Sequence, residues 1–140
     1  MSISEIQEEI VEEFSAFDDW MDKYSYLIEI GNDLEGFEEE HRLEQNLIDG
    51  CQSKVWLHAV LKDGKVIFTG DSDAIIVKGI VALLIRALSN QTPDDILACD
   101  LQFVEKIGLK EHLSPTRSNG LVAMIKQMRL FAVAFKAKMA

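Results

Sequence analysis

Residues 55–71 constrain the fold most. The stretches 55–62 and 65–69 both alternate in the strand manner, and only Asp63-Gly64 separates them. A two-residue Asp-Gly connection selects a type I′ turn, which forces the flanking strands to pair antiparallel in one register. Lys62 then lies opposite Lys65, Leu61 opposite Val66, Ala59 opposite Phe68 and Leu57 opposite Gly70. Apart from the closing lysines that face is apolar, so it must be covered. Trp56, His58 and Val60 fall on the other face, opposite Asp71, Thr69 and Ile67, a mixture that suits a partly open surface. A short β-like run at 46–48 is expected to add a third strand.

Helical patterns supply the cover. Residues 74–88 are apolar nearly all round, which predicts a central buried helix packed on the hairpin. Ser4 with Gln7 resembles a capping box ahead of Ile6, Ile10, Phe14 and Phe17. Asp18 or Asp19 is expected to cap a second helix carrying Trp20, Tyr24, Leu27 and Ile28, which ends at Gly31-Asn32. Gly70-Asp71-Ser72-Asp73 reads as a turn capping the central helix. Thr92-Pro93 and Ser114-Pro115 each place proline at the first helical position. The second of these opens a long helix with Leu121, Met124, Ile125, Met128, Phe131 and Phe135 on one face, and 101–107 is expected to form a shorter one. Residues 32–45 read as a polar loop. Helices, hairpin, helices gives an α+β fold: a small three-stranded antiparallel sheet with helices packed against one face. At 140 residues one domain spanning 1–140 is expected.

Charge is unevenly placed in this chain of net charge −10. Residues 1–50 hold 16 acidic and 2 basic side chains, and residues 51–140 hold 8 and 12. An acidic half of this kind does not suit phosphate contacts, and the other half has no dense basic run, so no nucleic-acid partner is expected. No apolar run approaches the length of a membrane span, and MSISEIQEEI has neither a basic n-region nor an apolar h-region. Two cysteines 48 positions apart make no disulfide framework, so a cytoplasmic protein with reduced thiols is expected.

One of those thiols sits in a distinctive place. Cys51 follows the turn dipeptide Asp49-Gly50 and lies between two extended runs, with Gln52, Ser53 and Lys54 after it. Gly50 leaves room beside the sulfur, and Lys54 is close enough in sequence to favour the reactive thiolate. A small buried cysteine in a turn is the competing reading, since free cysteines are usually inert. A metal or cluster scaffold would need three or four ligands, yet Cys51, Cys99, His41, His58 and His112 show no paired spacing. A cysteine hydrolase would need a histidine base, and His58 is about 23 Å away along an extended strand. Cys99, in the run 96–99, is expected to be a buried helix residue.

The segments GCQSKVWL (50–57), GDSDAIIVKG (70–79) and LSPTRSNGLVAMI (113–125) together resemble the SufE family of sulfur acceptors. The aromatic-rich start Trp20-Met21-Asp22-Lys23-Tyr24, the TPDDI at 92–96 and the element order extend the resemblance over nearly the whole chain. It implies a SufE/IscU-like fold and makes Cys51 the sulfur-accepting cysteine. A SufS-like cysteine desulfurase would be the donor, using its own pyridoxal phosphate, so this chain itself would bind no cofactor. The sulfur would pass to a SufBCD-like scaffold for iron–sulfur cluster assembly. The resemblance also makes Asp73 and Arg117 loop positions near the cysteine that bear on docking and reactivity, with Gly50, Gln52 and Ser53 beside the sulfur. It implies a sulfur-transfer partner and activator more than a free-standing enzyme, and a monomer or homodimer. The alternative it leaves is a metal or iron–sulfur scaffold of IscU-like fold. The stretch 114–119 is a close variant of the family pattern, and Cys99 matches no functional position in it.

Overall fold

Two helices precede the hairpin in the computed structural model, which describes residues 1–34, 37–48 and 53–139. Helix α1 (Ile3–Ser15) starts at Ser2, whose hydroxyl accepts from the Glu5 N–H while the Glu5 carboxylate accepts from the Ser2 N–H. The capping box is therefore Ser2/Glu5 and not Ser4/Gln7. The carboxylate belongs at N3, and the Gln7 amide instead clasps the distant Asp100 carbonyl and Phe103 N–H. Helix α2 (Trp20–Asn32) is capped by Asp19, whose carboxylate accepts from the Asp22 N–H. The connection that follows includes two single 3₁₀ turns, Glu39–His41 and Glu44–Asn46.

Strands β1 (Val55–Lys62) and β2 (Lys65–Ser72) pair in the register the sequence predicts, Lys62 opposite Lys65, but β2 runs on through Ser72, opposite Val55, where a turn at 70–73 is expected. Asp63 and Gly64 take φ of 53° and 78°, the double positive-φ geometry of a type I′ turn. The expected third strand is a correction: among the described residues the sheet has two strands, and 46–48 contributes one bridge, Leu47 opposite Trp56. The 3₁₀ turn ending at Asn46 coils the chain immediately before the bridge, so the pairing does not extend back beyond Leu47.

Helix α3 (Ile75–Leu88) lies on the apolar face of the hairpin, with Ile80, Leu83, Leu84 and Leu88 almost wholly buried. Side chains of this kind contribute roughly 1.5–3 kcal/mol each on burial. Helix α2 crosses α3 where two glycines meet. A Cβ on Gly79 would stand 2.2 Å from the Leu27 carbonyl oxygen, and one on Gly31 would stand 2.7 Å from the Gly79 nitrogen. Only hydrogen at these positions lets the backbones approach so closely.

Three short helices follow: α4 (Pro93–Ala98), α5 (Phe103–Lys106) and α6 (Leu109–His112). Thr92 caps α4 with Pro93 at its start, as the sequence predicts. The predicted helix at 101–107 is the four-residue α5. Helix α7 (Pro115–Met139) closes the structure, burying Leu121, Met124, Met128 and Ala132 against α3, α4 and the hairpin. Phe131 meets Phe68 of β2 edge-on at 6.3 Å between ring centroids.

Candidate functional site

Gly50, Cys51 and Gln52 lie outside the described residues, but the chain on either side of them is firmly placed. On the way in, Asn46 donates its side-chain amide to the His41 carbonyl at 2.8 Å. The Ile48 N–H then donates to the Val55 carbonyl at 2.9 Å, and the Ile48 side chain is buried. On the way out, Ser53 is half-buried and Lys54 is held by the junction between β2 and α3. The Lys54 N–H donates to the Asp73 carboxylate at 3.0 Å. The Lys54 carbonyl accepts twice, from the Ser72 hydroxyl at 2.9 Å and from the Asp73 N–H at 3.2 Å.

This arrangement corrects the reading of Asp73 as a helix cap. The N-cap of α3 is Ala74, which offers no side-chain acceptor. The Ser72 hydroxyl accepts from the N–H of Ala74 itself at 3.2 Å, holding the residue that precedes the helix. Asp73 thereby turns its carboxylate toward Lys54, three residues beyond the cysteine. The buried Ser72 was not legible as a site residue, because its two partners are a backbone carbonyl from another element and a helix N–H. Arg117 is exposed in the first turn of α7, where its N–H donates to the Ser114 hydroxyl at 3.3 Å. A cation at a helix N-terminus opposes the macrodipole, so this placement does not serve the helix. Among the described residues no hydrogen bond or ion pair links Arg117 to Asp73 or Ser53.

The open face of the hairpin is partly covered by the connection leading to the cysteine. Arg42 lies over the Trp56 ring at 5.0 Å and over Phe37 at 5.3 Å, and it bonds Glu39 at 2.9 Å. Arg42 also pairs with Asp71, which Lys78 approaches at 3.2 Å. Burial alone would raise the Asp71 pKa, but bonds from Arg42, the Ser72 N–H and Lys78 outweigh it and hold the carboxyl below the usual range. His41 stacks on His58 with ring centroids 3.8 Å apart. Burial, aided by His41, lowers the His58 pKa.

Cys99 follows α4 as its C-cap and is half-buried, not fully buried within a helix as expected. Its thiol donates to the Ile96 carbonyl at 3.1 Å, and Arg129 donates to its backbone carbonyl at 3.0 Å. Burial pushes its pKa up in spite of Arg129, which disfavours the thiolate. Among the described residues Glu38, Glu40 and His41 are close enough together to share a cation, and Cys99 is not part of that group. Among the described residues no helix is long and apolar enough to cross a membrane.

A chain of this architecture, with a cysteine segment tied at both ends to a helix-backed hairpin, has clear relatives. The family model for the SufE "Fe-S metabolism associated domain" matches residues 8–132. An uncharacterized SufE-like protein from Synechocystis sp. is 42% identical over 127 residues, covering 91% of this chain and 80% of that protein. The solution structure of a hypothetical protein from Thermus thermophilus superposes with a TM-score of 0.76 at 23% identity, covering 96% of this chain and 97% of the other, which shows the shared fold. The chain belongs to the SufE family.

Proposed function

We propose that this protein is a sulfur acceptor and carrier that takes persulfide sulfur from a cysteine desulfurase onto Cys51. The observation that carries the reading is membership of a family tied to iron–sulfur metabolism, joined to a glycine-flanked cysteine in the segment that the family resemblance marks. In the transfer, the Cys51 thiolate attacks the outer sulfur of the donor's persulfide. The donor's S–S bond breaks, its cysteine leaves as a thiolate, and Cys51 carries the new S–S bond. No external oxidant is needed, because sulfane sulfur only changes owner. Clearing the donor's persulfide in this way stimulates the desulfurase, whose pyridoxal phosphate stays with it. A second exchange passes the sulfur to a SufBCD-like assembly scaffold in the cytoplasm.

The anchoring supports this chemistry. Ile48 and Lys54 attach the chain on either side of residues 49–52 to the hairpin and to the start of α3. Gly50 and Gln52 flank the sulfur, and Ser53, Asp73 and Arg117 are proposed to support docking.

Intact-protein mass after incubation with a pyridoxal-phosphate cysteine desulfurase and cysteine tests the proposal. A gain of one sulfur, about 32 Da, removed by a reductant and absent in Cys51→Ser, is the expected result. No gain in wild type with a competent desulfurase would overturn it. A circular dichroism melt of Cys51→Ser should match wild type, and an unfolded variant would make Cys51 structural instead.

A further inference from the structure

Helix α7 turns two apolar faces outward from its axis, and only one of them meets the core. Leu121, Met124, Met128 and Ala132 form the buried face. Val122, Leu130 and Val133 are each about half exposed, at 51%, 50% and 51%, and exposed Lys126 lies among them. At about 100° per residue these four share one stripe, centred opposite the buried face. Beside the stripe runs a cleft of about 390 Å³. Asn46 and Ile48 form one wall, Lys126, Leu130 and Phe131 the other, and Leu57 of β1 is also part of its lining. The wall at 45–48 is the same stretch that leads directly into Cys51.

Its charge selects the occupant. In a chain of net charge −10, residues 115–139 hold five basic side chains and no acidic one. Arg129 and Lys136 are turned to the Cys99 carbonyl and to Asp94. Arg117 lies in the first turn and Lys138 over the Phe135 ring near the last, which leaves Lys126 in the middle of the exposed stripe and on the rim of the cleft. A second copy laid along this face would set cation against cation, which disfavours self-association there. An apolar surface with acidic side chains fits it.

We infer that the outward stripe of α7 and the adjoining cleft form the docking surface for the desulfurase, which meets it with an acidic, apolar patch. This rests on the sulfur-acceptor reading and adds to it where, and by what chemistry, the donor is held. Docking here would set the partner against the 45–48 wall, a few residues before Cys51 in the chain.

The test is the affinity of the Cys51→Ser protein for a pyridoxal-phosphate cysteine desulfurase, measured by calorimetry at low and high salt. Lys126→Glu and Leu130→Glu should each weaken binding by about tenfold or more, as truncated interface anchors do, and added salt should weaken wild-type binding. In the otherwise wild-type chain both variants should still gain sulfur on Cys51 when desulfurase is saturating. Glu12→Gln, on α1, should bind as wild type. Should Leu130→Glu unfold, Leu130→Ser and Lys126→Gln carry the same test with smaller losses. Wild-type affinity in the α7 variants would overturn the inference, and so would variants that keep desulfurase binding but lose a SufBCD-like scaffold. If the unmodified protein takes no sulfur from the desulfurase, the sulfur-acceptor reading fails, a result separable from normal transfer with unaltered affinity in the variants.

Discussion

Along the outer edge of β2, residues 89–91 stitch the strand down with three hydrogen bonds. The Val66 N–H reaches Gln91, the Val66 carbonyl accepts from Asn90, and the Phe68 N–H reaches the Ser89 hydroxyl. Along the outer edge of β1, the described chain touches only at Leu47 and Ile48 before it leaves for the cysteine. One edge is sealed by the frame's own connection, and the other holds the chain on either side of residues 49–52 by a bridge and a polar latch. An exposed strand edge is a hazard for unwanted pairing and is normally covered. Among the described residues the less covered edge is the one beside which the cleft lies.

The largest blow to the sealed side is Gly79→Ala. The added methyl would stand against backbone at the α2–α3 crossing, at the upper end of overpacking costs, about 3 kcal/mol. A denaturant melt should show the loss. Ser89→Ala comes next, costing about 1–3 kcal/mol because the Phe68 N–H loses its partner, with the rate of sulfur gain on Cys51 unchanged.

Ser72→Ala should cost a similar amount, about 1–3 kcal/mol, because the Ala74 N–H loses its acceptor while the Lys54 carbonyl keeps the Asp73 N–H. Its distinctive effect is local. The Lys54 carbonyl belongs to a bond that trypsin cuts, and a weaker latch opens it more often, so limited proteolysis after Lys54 should speed up several-fold. Ser89→Ala should leave that cut unchanged. Equal cutting in the two variants would mean that the edges do not differ as described.

Acid should act on the fold in a definite order. His58 has a lowered pKa in the fold, so the unfolded chain binds its proton more readily, and stability falls as pH drops below about 6.5. His58→Gln should shrink the fall in melting temperature between about pH 7 and 5.5. Asp71, held low by Arg42 and Lys78 against burial, and Glu13, held low by Arg86, give stability that is present above the ordinary carboxylate range and lost only at still lower pH. The smallest effect is expected of Cys99→Ser. With its thiolate already disfavoured by burial, sulfur gain should stay near wild type, and its loss would reveal a two-cysteine mechanism.

Much of this was legible in the chain. Asp63-Gly64 and strict alternation set the hairpin's register residue by residue, and Thr92-Pro93 and Ser114-Pro115 marked two helix starts. The misses share a cause. Ser2 with Glu5 and Ser4 with Gln7 both fit a capping box in the chain, and only the folded backbone shows which serine stands at the N-cap. Asp73 read as a cap because caps are usually Asp or Ser, yet its carboxylate is claimed by Lys54, nineteen residues away. The outward stripe of α7 was hidden because Val122, Leu130 and Val133 only become a face once the core has taken the other side.

By itself the sequence determined what short-range stereochemistry controls: the turn, the register that follows from it, the helix starts and the identity of a reactive-looking cysteine beside glycine. Tertiary structure decided everything that depends on which distant groups compete for the same hydrogen bond or apolar surface. It left the third strand as a single bridge, gave Ser72 and Asp73 to Lys54, and left one side of α7 uncovered beside the cleft. Local rules act through neighbours in the chain, whereas hydrogen bonds and burial are assigned among all the groups that folding brings together.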